Sequence, residues 1–209
     1  MHLLKQLVFV AMLAFAVSAQ AEIQAGKDYG VLNEAKPTHT GNKIEVLEFF
    51  FYGCTHCFHL HPLISEWEKK APKDVDLVYV PVVFRDSWEP MARTFYALET
   101  LGQQKRLHDD LFNAWNLNNV QIDSEATATE FVSQLGVDRE KFGAAYNSFA
   151  VNSKVMRANQ MMQDYGIRGT PTLVVNGKYV ITGLQPEDTV RVLDELVAKS
   201  RKERVAKKK

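Results

Sequence analysis

The sequence predicts an α/β fold in which a small sheet is divided along the chain by a long run of helices. Three observations predict it. Residues 43–51, Lys-Ile-Glu-Val-Leu-Glu-Phe-Phe-Phe, are apolar and rich in aromatic and branched side chains, the pattern of a buried strand. Across residues 88–164 apolar side chains recur at helical spacing almost throughout. Beyond that block, residues 172–175 and 178–182 flank Asn176-Gly177, a strong short signal for a tight hairpin.

Taken in order, the chain opens with Lys5, an apolar run over 7–17 and the small residues Ser18-Ala19-Gln20-Ala21. That is the pattern of a secretory signal peptide over residues 1–21, cut between Ala21 and Glu22. The apolar run is well short of the roughly 20 residues a spanning helix needs, so the mature chain is expected not to be membrane-embedded. Its expected place is outside the cytoplasm, in the periplasm of a cell with two membranes. At 46% apolar and 24% charged residues with no net charge, the composition is that of an ordinary globular protein. From Lys199 onward seven Lys and Arg face Glu203 alone, leaving a mildly acidic body and a basic tail over 201–209, read as a frayed helix end. No basic patch recurs within the body, which argues against a nucleic-acid partner.

After the strand at 43–51, Tyr52-Gly53 makes a turn, and from Cys54 the pattern turns helical through Leu60, Ile64 and Trp67. A second strand is expected over 77–84, with Pro81 placing it at an edge or a bulge. In the helical block, Met91, Phe95, Leu98 and Leu101 mark one helix ended by Gly102, and Leu107, Leu111 and Trp115 a second. Phe131 and Leu135 mark a third before Gly136, and Phe142, Tyr146 and Phe149 a fourth. Residues 155–165 form a fifth, stopped by Gly166, and the aromatic residues throughout are read as core. After the hairpin, Val190, Leu193, Leu196 and Val197 give a closing amphipathic helix. Residues 22–85 and 165–200 thus make one discontinuous domain, and 86–164 a helical insertion within it.

The only cysteines, Cys54 and Cys57, are three positions apart. A bridge between them closes a very short loop and contributes little as a staple, because loop-entropy stabilisation grows with loop length. Their better use is a disulfide that forms and breaks. At a helix N-terminus, unpaired N–H groups and the macrodipole favour the Cys54 thiolate, and a protonated His56 nearby would add to that. Cys57, one turn deeper, is the natural resolving thiol. A c-type haem site would need His where Phe58 stands. A zinc site built on Cys54, Cys57, His59 and His61 lacks a second ligand cluster. His59 and His61 are read instead as helix-surface or groove-lining residues, and inert thiols are disfavoured in an oxidising compartment.

Phe-Phe-Phe-Tyr-Gly-Cys-Thr-His-Cys over 49–57, Pro62 eight residues after Cys54, and Gly169-Thr170-Pro171-Thr172 before the hairpin together resemble the thioredoxin superfamily. The helical block, the export signal and the Cys-x-His-Cys pattern most resemble its DsbA family, over essentially the whole mature chain. The resemblance implies a thioredoxin fold with an inserted all-helical domain and a cis proline at Pro171 facing the cysteine pair. It implies a thiol:disulfide oxidoreductase that hands its Cys54–Cys57 disulfide to reduced exported polypeptides through a mixed disulfide on Cys54. Thr170 and Pro171 would hold the substrate chain, and no cofactor beyond the redox-active pair is implied. Reoxidation would fall to a membrane quinone-linked oxidase of the DsbB type, and the expected state is a monomer. The x-x pair is Thr55-His56 rather than the family's familiar Pro-His, a position that tunes the redox potential. Glu48 matches a buried acid beneath the active site whose usual lysine partner is here replaced by Tyr79; a surface-facing Glu48 is the alternative. Unpaired and buried, Glu48 would have a raised pKa and could pass protons to Cys57.

Three other functions fit parts of this pattern. A disulfide isomerase or reductase on the same fold would tolerate Thr170, but the known exported isomerases carry a separate dimerisation domain that 22–42 cannot hold. A peptide-binding holdase would leave the cysteines incidental. A glutathione-using transferase or isomerase normally carries Ser in place of the pair.

Overall fold

The computed structural model describes residues 22–206. The expected signal peptide and the last three lysines lie outside them. Strand β1 (Gly30–Val31) precedes β2 (Ile44–Phe50), helix α1 (Thr55–Lys70) and β3 (Val75–Pro81). A short 3-10 turn, Asp86–Trp88, opens the helical block of α2 (Glu89–Thr100), α3 (Gln104–Asn116), α4 (Glu125–Gln134), α5 (Arg139–Tyr146) and α6 (Phe149–Asp164). The chain then returns through β4 (Thr172–Val175) and β5 (Tyr179–Thr182) to α7 (Pro186–Ala206).

The five strands form one mixed sheet in the order β1-β5-β4-β2-β3. β2 lies between β3, to which it is parallel, and β4, to which it is antiparallel. Every residue of β2 is buried, which explains its unbroken apolar run: both faces are covered. On one face, Ile44 and Val46 pack with Leu60, Ile64 and Trp67 of α1 and Leu193 and Leu196 of α7. On the other, Leu47 and Phe49 join a larger core with Phe95, Leu98 and Val155 of the helical block. β3 is an edge strand, and Pro81 is its last residue, where a missing N–H does least harm to the ladder.

The β4–β5 hairpin turns on Asn176 and Gly177, both at positive φ (52° and 65°), as the dipeptide predicts. A segment that the sequence left unread closes over this turn. Lys36 N–H donates to the Gly177 carbonyl and Leu32 N–H to that of Lys178, while β1 pairs with β5. A side chain at 177 would collide with the Lys36 carbonyl, so the position needs glycine twice over.

The helices correct the sequence reading in three places. Phe149 does not end the fourth helix or enter the core; Ser148 caps a new helix by accepting the Val151 N–H, and Phe149 begins it, 85% exposed. For the same reason α6 starts at Phe149 rather than near Val155. In α4 the buried residues are Ala128 and Val132, while Phe131 and Leu135 are half-buried. The segment read as a basic tail is, as far as Ala206, a docked part of α7 rather than a frayed end. Arg201 grips Asp74 with two nitrogens at 2.7 and 2.9 Å, and Glu203 meets Lys178 at 3.0 Å. Arg204 donates to the carbonyls of Asn42 and Lys43.

Candidate active site

β2 delivers the chain at Phe51 to the Tyr52-Gly53 turn, and Cys54 then caps α1 in extended conformation (φ −90°, ψ 113°). Its sulfur accepts the Cys57 N–H at 3.4 Å, the place a serine or aspartate oxygen takes at other helix starts. Gly53 fits tightly here, because a Cβ would lie 2.5 Å from the Phe51 ring and 2.8 Å from Trp115, and the rings would have to shift. Phe51 in turn stacks on Trp88 with ring centroids 3.8 Å apart. Two of the aromatics read only as helical core therefore form the floor of the turn.

Both cysteines are free thiols in this structure, and their environments differ. Cys54 is half-buried, whereas Cys57 is fully buried. Hydrogen bonding from the Cys57 thiol, followed by the Thr170 side chain and the N–H groups of Cys57 and His56, outweighs burial and pulls Cys54 down to about 5. Burial, then the hydrogen bond to Cys54 and its charge, push Cys57 far above the ordinary thiol range. His56 acts on this balance through its backbone N–H, while its side chain is exposed, as is Thr55. The peptide group of His56 thus adds to the helix N-terminus in favouring the Cys54 thiolate.

Across from Cys54 stands the loop before β4. The Thr170–Pro171 peptide is cis, and the Cys54 thiol lies 3.4 Å from the Thr170 carbonyl, to which it donates. The antiparallel pairing of β4 with β2 makes this meeting of residues 116 apart in sequence a consequence of the sheet. A cleft of about 330 Å³ runs alongside, lined by His56, His59, Thr170, Pro171, Leu184 and Gln185.

Beneath the pair, Glu48 is 1% exposed, which settles its orientation. It sits in register with Tyr79 on β3, but the Tyr79 hydroxyl donates to Glu68 at 3.2 Å. Glu48 Oε2 is buried without a hydrogen-bond partner. Burial, then the negative charges of Glu68 and Cys54, raise Glu48 to about 8.

Sequence reasoning missed a polar cluster beside it. His61, read as a surface or groove residue, is buried, with Nε2 2.6 Å from Asp109, and its ring lies 4.7 Å from that of His108. His108 Nδ1 meets the Tyr52 hydroxyl at 2.7 Å, and burial holds its pKa well below the ordinary histidine value. His108 sits one position from the periodic Leu107 on α3, so spacing alone marked it as a flank of the apolar face.

Residues 45–193 match the family model described as a DSBA-like thioredoxin domain. The chain belongs to the DsbA family. It is 36% identical over 206 residues to the thiol:disulfide interchange protein DsbA of Pseudomonas aeruginosa, covering 95% of this chain and 98% of that one. It is 38% identical to the Burkholderia cepacia protein of the same name, over 87% and 88% of the two chains. The crystal structure of Pseudomonas aeruginosa DsbA superposes with a TM-score of 0.83, covering 90% of this chain and 97% of that one at 36% identity. That of the DsbA oxidoreductase from Xylella fastidiosa gives 0.81 at 35% identity, over 86% and 98%. This DsbA-family chain is therefore a thiol:disulfide oxidoreductase on a thioredoxin fold with a helical insertion. Among the described residues no helix is long and apolar enough to cross a membrane.

Proposed function

We propose that the chain works as a disulfide donor to reduced polypeptides in the periplasm, with Cys54 as the exchanging sulfur. In the oxidised state a substrate thiolate attacks Cys54 Sγ. The Cys54–Cys57 bond breaks, a substrate–Cys54 bond forms, and Cys57 leaves as a thiolate that takes a proton from Glu48. A second substrate thiolate then attacks the substrate sulfur of the mixed disulfide and releases the Cys54 thiolate. The substrate gains a disulfide, and the protein is left as the dithiol.

The observation that carries this reading is the inequality of the two sulfurs. A Cys54 thiol at about 5 instead of 9.0 favours the dithiol at pH 7 by about 2.7 kcal/mol before screening, and about 2 kcal/mol at a half-buried sulfur. For a two-electron couple that is roughly 45 mV of added oxidising tendency. Cys54 is the better leaving group in the second step because its thiolate is the stabilised one.

Thr170 and Pro171 are proposed to hold the substrate chain extended beside Cys54, a role that the neighbouring cleft supports. The chemistry uses the cysteine pair alone, without a further cofactor. A monomer is proposed as the working unit. The resulting dithiol needs an electron acceptor, by analogy a membrane quinone-linked oxidase of the DsbB type.

Equilibration with glutathione redox buffers, followed by the fluorescence of Trp88 and Trp115, tests the direction of exchange. A midpoint well above the glutathione couple is expected. A midpoint near that of thioredoxin would instead make the protein a reductase. Cys54→Ser should abolish disulfide transfer; retention of full function in that variant would leave a holdase.

A further inference from the structure

The neighbours of Glu48 in register are Tyr79 on β3 and Leu173 on β4, neither of them a cation. A lysine or arginine at position 79 would answer the charge of an ionised Glu48; Tyr79 instead brings in a second anion. Its hydroxyl donates to Glu68 Oε2 at 3.2 Å, which tethers a carboxylate from the last turn of α1 to the strand position beside Glu48. Glu68 is 32% exposed and therefore hydrated, unlike Glu48. Lys105 of α3, itself 83% exposed, meets the other Glu68 oxygen from the surface at 3.2 Å.

The other ionisable groups of this region are engaged elsewhere. Lys69 is turned toward Glu66 at 3.8 Å, Asp109 toward His61, and His108 toward Tyr52. Above Glu48 stand Cys54 and Cys57. Burial is the largest cause of the raised proton affinity of Glu48, and the Glu68 charge comes next, ahead of Cys54. The Tyr79 ring packs against Phe50 and His108, with centroids 6.0 and 4.7 Å apart, so side chains rather than water fill the space along the way. A charge acting through packed side chains is screened less than one acting through solvent.

We infer that Glu68 is a positioning residue for the exchange reaction. Its charge, fixed by Tyr79, keeps Glu48 loaded with the proton that Cys57 receives, and Lys105 moderates that charge from the surface. A carboxyl of ordinary acidity would be empty at pH 7 and have no proton to give. The inference rests on Glu48 as the proton carrier.

The test is a carbon-13 NMR titration of the glutamate carboxyls in the reduced mature protein from pH 6 to 10, where Cys54 is already ionised. The Glu48 signal is the one that disappears in Glu48→Gln. Glu68→Gln keeps an acceptor for the Tyr79 hydroxyl and should lower the Glu48 midpoint by about half a unit or more. Lys105→Met, at a surface position, should raise it. Loosened packing would admit water and lower the midpoint in both variants, so opposite signs from the two ends of one ion pair are the signature. A midpoint unmoved in either variant, or shifted the same way by both, would overturn the inference; Lys105→Met decides the sign even if Glu68→Gln folds poorly. In stopped flow, the pH at which Cys57 attack on a mixed disulfide accelerates should follow the Glu48 midpoint downward in Glu68→Gln. A midpoint that moves while the rate profile stays fixed would instead overturn Glu48 as the proton carrier.

Discussion

Replacing Glu48 with Gln in the reduced protein removes a titrating proton while keeping the shape of the side chain. Glu48 is held at about 8 against an ordinary 4.5, so the folded state keeps a proton that the unfolded chain has already lost. The sign follows from linkage: stability is greatest below 4.5, falls as pH rises, and levels off beyond about 8. The wild-type chain thus carries a penalty of about 1 kcal/mol at pH 5 and about 3 kcal/mol at pH 7. Gln carries no such pH dependence. The stability of Glu48→Gln relative to wild type should therefore grow by about 2 kcal/mol between those two pH values. Urea unfolding of both reduced proteins at pH 5, 6, 7 and 8 measures it. A difference that stays flat across the range would refute the picture of a buried, protonated acid. The same variant should slow the attack of Cys57 on a mixed disulfide and flatten its pH profile in stopped-flow measurements. An unchanged profile would remove Glu48 from proton transfer.

Absorbance of the reduced protein at 240 nm should rise with a midpoint near pH 5 as Cys54 ionises, and Thr170→Val should move that midpoint upward. A wild-type midpoint near the ordinary thiol value would take away the basis for an oxidising pair. Gly53→Ala should cost roughly 1–3 kcal/mol and change the emission of Trp115, since the new methyl meets rings on two sides; an unaltered melting curve and spectrum would show that the turn has slack. Arg201→Ala removes an exposed pair and should cost less than about 1 kcal/mol. Its signature should be faster amide exchange confined to the last turns of α7, and global destabilisation would contradict the local role.

Much of this fold was legible in the sequence because its signals are local. The hairpin turn is written in Asn176-Gly177, and the covered central strand in an apolar run without alternation. The helix stops at Gly102, Gly136 and Gly166 all fall at positive φ. The pairing of Glu48 with Tyr79 could be anticipated because a parallel register carries over from related folds. What could not be read depends on partners distant in sequence. Nothing near His61 announces Asp109, and nothing near Asp74 announces Arg201. Phe149 misled because a large aromatic at helical spacing is usually core, whereas the cap at Ser148 resets the phase of the helix. The low pKa of Cys54 was expected from helix and imidazole, yet its largest cause is its own partner thiol.

The placement of β4 beside β2 bears on when the chain becomes reactive. Synthesis delivers Cys54 and Cys57 early, but the loop that touches Cys54 and the strand that seals the inner edge of β2 come only after the whole helical block. Until residues 170–175 arrive, β2 has an open edge and Cys54 lacks its neighbour at Thr170. The groups that lower its pKa are incomplete for most of the chain's own emergence. Cys57 and the first N–H groups of α1 stand beside Cys54 from the start, and the loop at Thr170 completes the site only when β4 has closed against β2.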